Sequence, residues 1–188
     1  YNTQRSFINS ANLLDEKSFI LCSNNNQFGL YIRDGNSVLN GGWNISNTIV
    51  SESVNADGWV HYAMSFDGET AKMFINGQKD EVEVQASGLS IVNESIVSLG
   101  DIVGGGGSVY GQADNVLIFE RALSGDEINQ IAFNENILNE DSLLGYYVFN
   151  SGIGNILYDH SGNANHGTIY GAEWVENIED ISGCTDEL

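Results

Sequence analysis

The sequence predicts an all-β chain, a two-sheet antiparallel sandwich with one short helix near residues 124–134. Three observations point there. Short apolar or alternating runs are separated by turn signals about every eight to twelve residues, the spacing of a sandwich. The dipeptides Asp67-Gly68 and Asn76-Gly77 suit tight hairpin turns, Asp67-Gly68 being compatible with the type I′ geometry that needs positive φ. At Ser124 the period changes: Glu127, three residues on, completes capping-box spacing ahead of an apolar Ile128-Ile131-Ala132 face. With 22 Gly and no Pro, the turns rest on Gly, Asn and Asp rather than on a fixed φ.

The elements follow in order. Ser18 to Cys22 and Phe28 to Ile32 flank Asn24-Asn25-Asn26 and read as a hairpin. Asp34-Gly35-Asn36 turns the chain into Ser37-Val38-Leu39 and Gly41-Gly42-Trp43, and Ile49 to Val54 follows with partial alternation. Trp59 to Phe66 alternates large apolar with smaller or polar residues, and Ala71 to Ile75 returns beside it. Glu81-Val82-Glu83-Val84 then puts both glutamates on one face and both valines on the other, a half-exposed strand. Ser95 to Gly100 is a further strand. Val116-Leu117-Ile118-Phe119 reads as a short buried strand, preceded by Asp114 and Asn115, polar where a strand needs no polar group. The helix after Ser124 should end near Phe133 or Asn134. Leu143 to Phe149 is an apolar, aromatic strand. Asp159 to Gly167 is a loop with oxygen-bearing side chains at alternate positions, Thr168 to Val175 closes as a last strand, and an acidic tail begins at Glu176.

At 188 residues and 41% hydrophobic content, one domain with one sizeable core is expected. No apolar run is long enough to span a membrane, so direct membrane insertion is not expected. Tyr1 is no initiator and no signal segment follows it, so the sequence reads as a mature or excised piece of something longer. The 26 acidic residues against six basic, a net charge of −20, repel phosphate backbones and argue against nucleic acid. That surface suits divalent cations or high salt, and equally suits simple solubility of a secreted protein. Cys22 and Cys184 could form one disulfide, which would fit an extracellular setting; Cys22, in an apolar run, is more often a free buried thiol. The Gly104 to Gly107 run is not a phosphate loop, since no Lys-Ser/Thr follows and no helix begins there.

Three segments together resemble the laminin-G-like, concanavalin A-like jelly-roll family of bacterial secreted proteins. They are Gly58 to Gly68 with Met73 to Gly77, Asp114 to Ser124, and Gly145 to Asn150 through Asp159 to Gly167. Two departures stand out: Asn150 where the family has Asp, and Gln112-Ala113 before Asp114. The resemblance covers roughly residues 1–175, and a single jelly-roll domain over 1–178 is expected, with 179–188 as an acidic tail or the start of a next repeat. The family often carries its Tyr-rich strand and Asp-x-Ser-Gly-Asn loop at the beginning of a domain. Here they come last, and the preferred reading is that they close the sandwich by pairing with the N-terminal strands. Ser182 to Leu188 is similar to the start of a short Gly-Cys-Thr-Asp repeat of large bacterial surface proteins, which would put the disulfide partner of Cys184 downstream.

Candidate site residues come in three groups. Asp159, Ser161, Asn163 and Asn165 alternate like ligands around a hard cation, which takes about six to eight oxygens. The resemblance implies Ca²⁺ here, with Asp114 as a second carboxylate; the other reading is an Asx and Ser-Gly turn network satisfying its own backbone. His160 and His166 lack the third soft ligand zinc would want. For catalysis, Asp80-Glu81-Val82-Glu83 is the nearest approach to a glycosidase strand, but it lacks the third acid and lies on an exposed face. For sugar stacking, Trp43, Tyr110 and Tyr170 lie at loop or strand ends. The expectation is a non-catalytic, Ca²⁺-stabilised module that binds a glycan or an extracellular protein, joined to neighbouring domains of a larger secreted or cell-surface, adhesin-like chain. A polysaccharide hydrolase or lyase, and a structural spacer in a surface filament, are the alternatives.

Overall fold

Turn chemistry sets the strand pairs. A computed structural model of the chain describes residues 5–9, 18–24, 27–33, 48–50, 59–85, 97–100, 111–133 and 141–175. These are mostly β, with antiparallel sheets and one short helix. The expected strands at 37–39 and 41–43, most of the one at 49–54, the glycine run 104–107 and the tail lie outside the described residues. Among the described residues no helix is long and apolar enough to cross a membrane.

The chain separates into two compact units, one of Tyr1–Gly111 with Arg121–Ile137, the other of Gln112–Glu120 with Leu138–Leu188. The first holds two sheets. β1 (Arg5–Asn9), β2 (Ser18–Asn24), β3 (Gln27–Arg33), β4 (Thr48–Val50) and β8 (Ser98–Leu99) form an antiparallel sheet in the order β4-β3-β2-β1-β8. The expected hairpin is there, β2 and β3 pairing from Ser18↔Arg33 to Asn24↔Gln27.

β5 (Tyr62–Phe66), β6 (Thr70–Ile75) and β7 (Gln78–Gln85) form the second sheet. The β5–β6 turn differs from expectation by one residue. Phe66 pairs with Ala71 and the Asp67 N–H donates to Thr70 O, so Gly68 and Glu69 are central, with positive φ only at Gly68 (+92°). This is the sign pattern of a II′ turn rather than I′. Asp67 acts outside it as a side-chain acceptor for the Glu69 and Thr70 N–H groups, at 2.9 and 2.7 Å. Asn76 and Gly77 do form a I′ turn, with φ of 49° and 72°. The β6–β7 register shifts between Lys72 and Phe74, with the extra residues on β7, while β6 stays in unbroken register with β5; Met73 and Phe74, neighbours on β6, are both buried.

The helix α1 (Gly125–Phe133) starts where the capping box predicts. The Ser124 N–H donates to Glu127 Oε2 at 2.7 Å and the Glu127 N–H to Ser124 Oγ at 3.3 Å. Arg121 clamps the same carboxylate, and these contacts, Arg121's hydrogen bond first, hold the Glu127 carboxyl at about 2. α1 docks on the β6–β7 turn. A Cβ on Gly77 would stand 2.9 Å from Ala132 Cβ, and Asn129 Nδ2 donates to Gly77 O at 3.2 Å. Ser65, buried on β5, donates its hydroxyl to Leu123 O at 2.9 Å just before the helix. Ala71, Met73, Phe74 and Ile128 make the core here; a fully buried side chain of the larger three contributes about 1.5–3 kcal/mol.

The second unit is smaller. β9 (Val116–Phe119) pairs antiparallel with β10 (Leu143–Tyr147), from Leu143↔Phe119 to Tyr147↔Val116, with a bulge between Leu143 and Gly145. Among the described residues the partner of β10 is β9. β9 is half-buried along its length rather than buried. β11 (Ile156–Leu157) pairs with β12 (Gly167–Thr168). The expected long strand at 168–175 shrinks to this pair, because Gly171 turns left-handed (φ +73°) and takes the chain out of the extended region. Leu143, Tyr146 and Leu157 form the apolar core, and Asp159 is buried with them.

Candidate functional site in the Asp159 loop

β10 brings the Asp-x-Ser-Gly-Asn-x-Asn loop against its own backbone. Gly145 makes this possible: a Cβ there would lie 3.0 Å from the Tyr147 ring, which folds back over it. The Asp159 carboxylate takes four hydrogen bonds. Oδ1 accepts the N–H groups of Tyr146 and Ser161, both at 2.9 Å; Oδ2 accepts the Ser161 hydroxyl at 2.8 Å and the Asn165 N–H at 2.9 Å. Burial alone would raise its pKa, but the bonds from Tyr146, Ser161 and Asn165 outweigh that and hold it at about 2.

The other loop side chains turn to carbonyls of β10. Asn163 Nδ2 donates to Leu143 O at 2.7 Å, and Asn165 Nδ2 to Leu144 O at 2.8 Å. Ser161 Oγ accepts the Asn163 N–H at 3.3 Å and stands 3.2 Å from Asn163 Nδ2. The Tyr147 hydroxyl donates to Asn165 O at 2.8 Å; burial, and then the Asp159 charge, push its pKa up and keep it a donor. The Asp159 N–H donates to His166 Nδ1 at 3.0 Å, and the His160 N–H to Tyr146 O at 2.7 Å. Left-handed Gly162 (φ +93°) and Ala164 (φ +57°) let the turn close.

Asp159, Ser161, Asn163 and Asn165 are therefore brought together as expected. The donor set, however, does not fit a calcium ion. A carboxylate has about four lone-pair sites, and all four on Asp159 meet N–H or O–H donors. The Asn163 and Asn165 amides turn donors, not oxygens, toward Leu143 and Leu144. Among the described residues, no three His, Cys, Asp or Glu side chains gather to hold a metal. Asp114 is exposed, and its Oδ1 accepts the Asn115 N–H at 2.8 Å. No hydrogen bond joins it to the loop; the link is one residue on, where Asn115 Oδ1 accepts the Tyr146 hydroxyl at 3.4 Å. Asn115 adopts a left-handed φ of 48°, which Asn tolerates better than most residues. The sequence left Asn115 without a role; this geometry supplies one.

Of the expected sugar-stacking residues, Trp43 and Tyr110 lie outside the described residues, and Tyr170 is 88% exposed. Glu81 and Glu83 are both exposed on β7, as their alternation predicts. Lys79 sits 2.6 Å from Glu83, and its hydrogen bond keeps that carboxyl below the usual carboxylate range, the wrong direction for a general acid. His61 Nδ1 is buried without a hydrogen-bond partner, and burial lowers its pKa. His160 and His166 meet Tyr146 and Tyr158 edge-on, at ring-centroid distances of 6.2 and 5.5 Å.

No curated protein matches the sequence. A solved structure of an S-layer domain-containing protein (residues 221–444) from Clostridium thermocellum ATCC 27405 is similar at 22% identity and a TM-score of 0.38, over 69% of this chain. The chain spans 63% of the length of that structure. Residues 2–129 match the family model described as the concanavalin A-like lectin/glucanases superfamily. That match takes in β1 to β9 and the start of the helix, and on it the chain belongs to the concanavalin A-like lectin/glucanase superfamily.

Proposed function

We propose that the chain is a non-catalytic binding module of a larger secreted or cell-surface protein, taking a glycan or an extracellular protein as partner. The observation that carries this reading is the state of its best catalytic candidates. Glu81 and Glu83 lie open on a strand face, and the Lys79 contact lowers Glu83 instead of raising it. A glycosidase of this class needs one carboxyl kept protonated beside one kept ionised. Family membership supports the same reading. The Asp159 loop, with its donors and acceptors matched, serves this module as a structural clasp, and calcium is not required for it. A glycan array and a polysaccharide-cleavage assay on the whole chain test the proposal. Binding without cleavage is expected; cleavage abolished by E81Q/E83Q would refute it.

A further inference from the structure

The small β11–β12 ribbon has two unlike faces. Its register, Ile156↔Thr168 and Leu157↔Gly167, continues to Tyr158 opposite His166 on one side. On the other side the Ile169 N–H donates to Asn155 O at 2.8 Å; Gly154 then turns left-handed (φ +80°), so Tyr170 stands just past the end of the pairing. Alternation therefore puts Leu157, Gly167 and Ile169 on the inner face, buried or half-buried, together with the exposed Asn155, and Ile156, Tyr158, His166, Thr168 and Tyr170 on the outer one, all exposed. Tyr158 is 46% and Tyr170 88% exposed. The two tyrosines stand at opposite ends of one face. Trp174 is pinned at the Asn155 end of the ribbon by an Nε1–H bond to Gly154 O at 2.9 Å.

The charge on this stretch decides what fits it. The chain as a whole carries −20. Yet between Leu143 and Val175 there is no Lys or Arg, and the only carboxylates are Asp159 and Glu173. Asp159 is turned inward and spent on its four donors. The residues of the outer face are thus themselves uncharged, with aromatic surface at each end and hydrogen-bonding groups between; the one exposed carboxylate of the stretch, Glu173, lies three residues beyond Tyr170. Thr168 offers a hydroxyl. His166 has Nδ1 engaged by the Asp159 N–H, so Nε2 is the nitrogen left for a ligand. A protein partner needs roughly 800 Å² per side, far more than a ribbon of two-residue strands presents. An acidic polymer would be repelled by the rest of the chain.

Resting on the binding-module reading above, we propose that this face is a subsite for a neutral oligosaccharide, with Tyr158 and Tyr170 stacking on sugar rings and Thr168 and His166 Nε2 bonding hydroxyls between them. The rings bring apolar area at low entropic cost and keep a polar tip. The experiment is calorimetric titration of the whole chain with cellotetraose, maltotetraose, xylotetraose and mannotetraose, and with a uronic-acid tetrasaccharide. At least one neutral probe should bind, and Y158A and Y170A should each weaken it at least tenfold. W59A, at an exposed aromatic on the other unit, should leave it unchanged. Both tyrosines are exposed enough that unfolding of the variants is not expected, and circular dichroism checks this. Neutral binding that survives both tyrosine variants overturns this face while leaving the module reading standing. Binding of the uronic-acid probe alone overturns the neutral chemistry. Binding of no probe overturns the subsite and removes the glycan half of the proposed function with it.

Discussion

Replacing Asp159 by Asn tests whether the loop is a clasp held by charge. The side chain keeps its shape but loses one acceptor oxygen and the negative charge. Its better flip puts the new NH₂ where Oδ2 was. Ser161 can rotate its hydroxyl to accept, but the Asn165 N–H, now 2.9 Å from a donor, loses its partner. An orphaned N–H costs about 1–3 kcal/mol, and the remaining bonds lose their charge assistance. The pKa gives a second route to the magnitude. The carboxyl sits at about 2 against an ordinary 3.8. At about 1.4 kcal/mol per pH unit, the ionised form is favoured by roughly 2–3 kcal/mol, and solvent screening near the loop trims this to about 1–2 kcal/mol. D159N should therefore cost about 2–3 kcal/mol in the second unit. The sign in pH follows from a depressed native pKa: the contribution is complete above pH 3.8 and lost as pH falls through about 2. Because the chain has two units, a single melting temperature is a poor reporter. Amide hydrogen exchange at Tyr146, Ser161 and Asn165 reads the clasp directly. Unchanged exchange at all three in D159N, with stability within about 0.5 kcal/mol of the parent, would refute the reasoning.

Three further outcomes follow from the geometry. A calcium site filled at 100-fold over its Kd would add about 2.7 kcal/mol; thermal melts in millimolar Ca²⁺ and in EDTA should instead coincide, and a reversible rise with Ca²⁺ would restore the cation reading of the loop. G77A should destabilise the first unit by about 2–3 kcal/mol in urea, since it combines a left-handed φ with a 2.9 Å approach to Ala132. G68A, at φ +92° in open space, should cost only about 1 kcal/mol, so equal losses would show that α1 does not press on the turn. S124A should cost about 0.5–2 kcal/mol and expose the amides of the first helical turn to exchange.

Much of the fold was legible because its signals are local. The Asn76-Gly77 turn, the Ser124/Glu127 capping box and the exposure of Glu81 and Glu83 each depend on residues a few positions apart, and each stands as the sequence reads. The Asp67-Gly68 turn slipped by one because Asp67 prefers to accept backbone N–H groups with its side chain, a choice the dipeptide does not reveal. The strand at 168–175 failed for a similar reason: alternation continues through Tyr170 and Ala172, but Gly171 is free to turn left-handed and does. The site was half legible. Spacing brought Asp159, Ser161, Asn163 and Asn165 together, yet the same alternating oxygens suit a cation or a backbone. What separates these readings is whether N–H groups of another strand lie opposite, and Tyr146 is 13 residues away.

The pairing of β9 with β10 bears on how the chain is cut. The family match ends at residue 129, 14 residues before β10 begins at Leu143. A fragment trimmed to that match would keep Val116–Phe119 and discard the strand it bonds to. Its open edge would offer a row of unpaired N–H and C=O groups along an apolar tetrapeptide, a template for pairing with another copy. Solubility in such a fragment would thus report on a missing neighbour rather than on the module, and a boundary beyond Val175 keeps both strands on the same molecule.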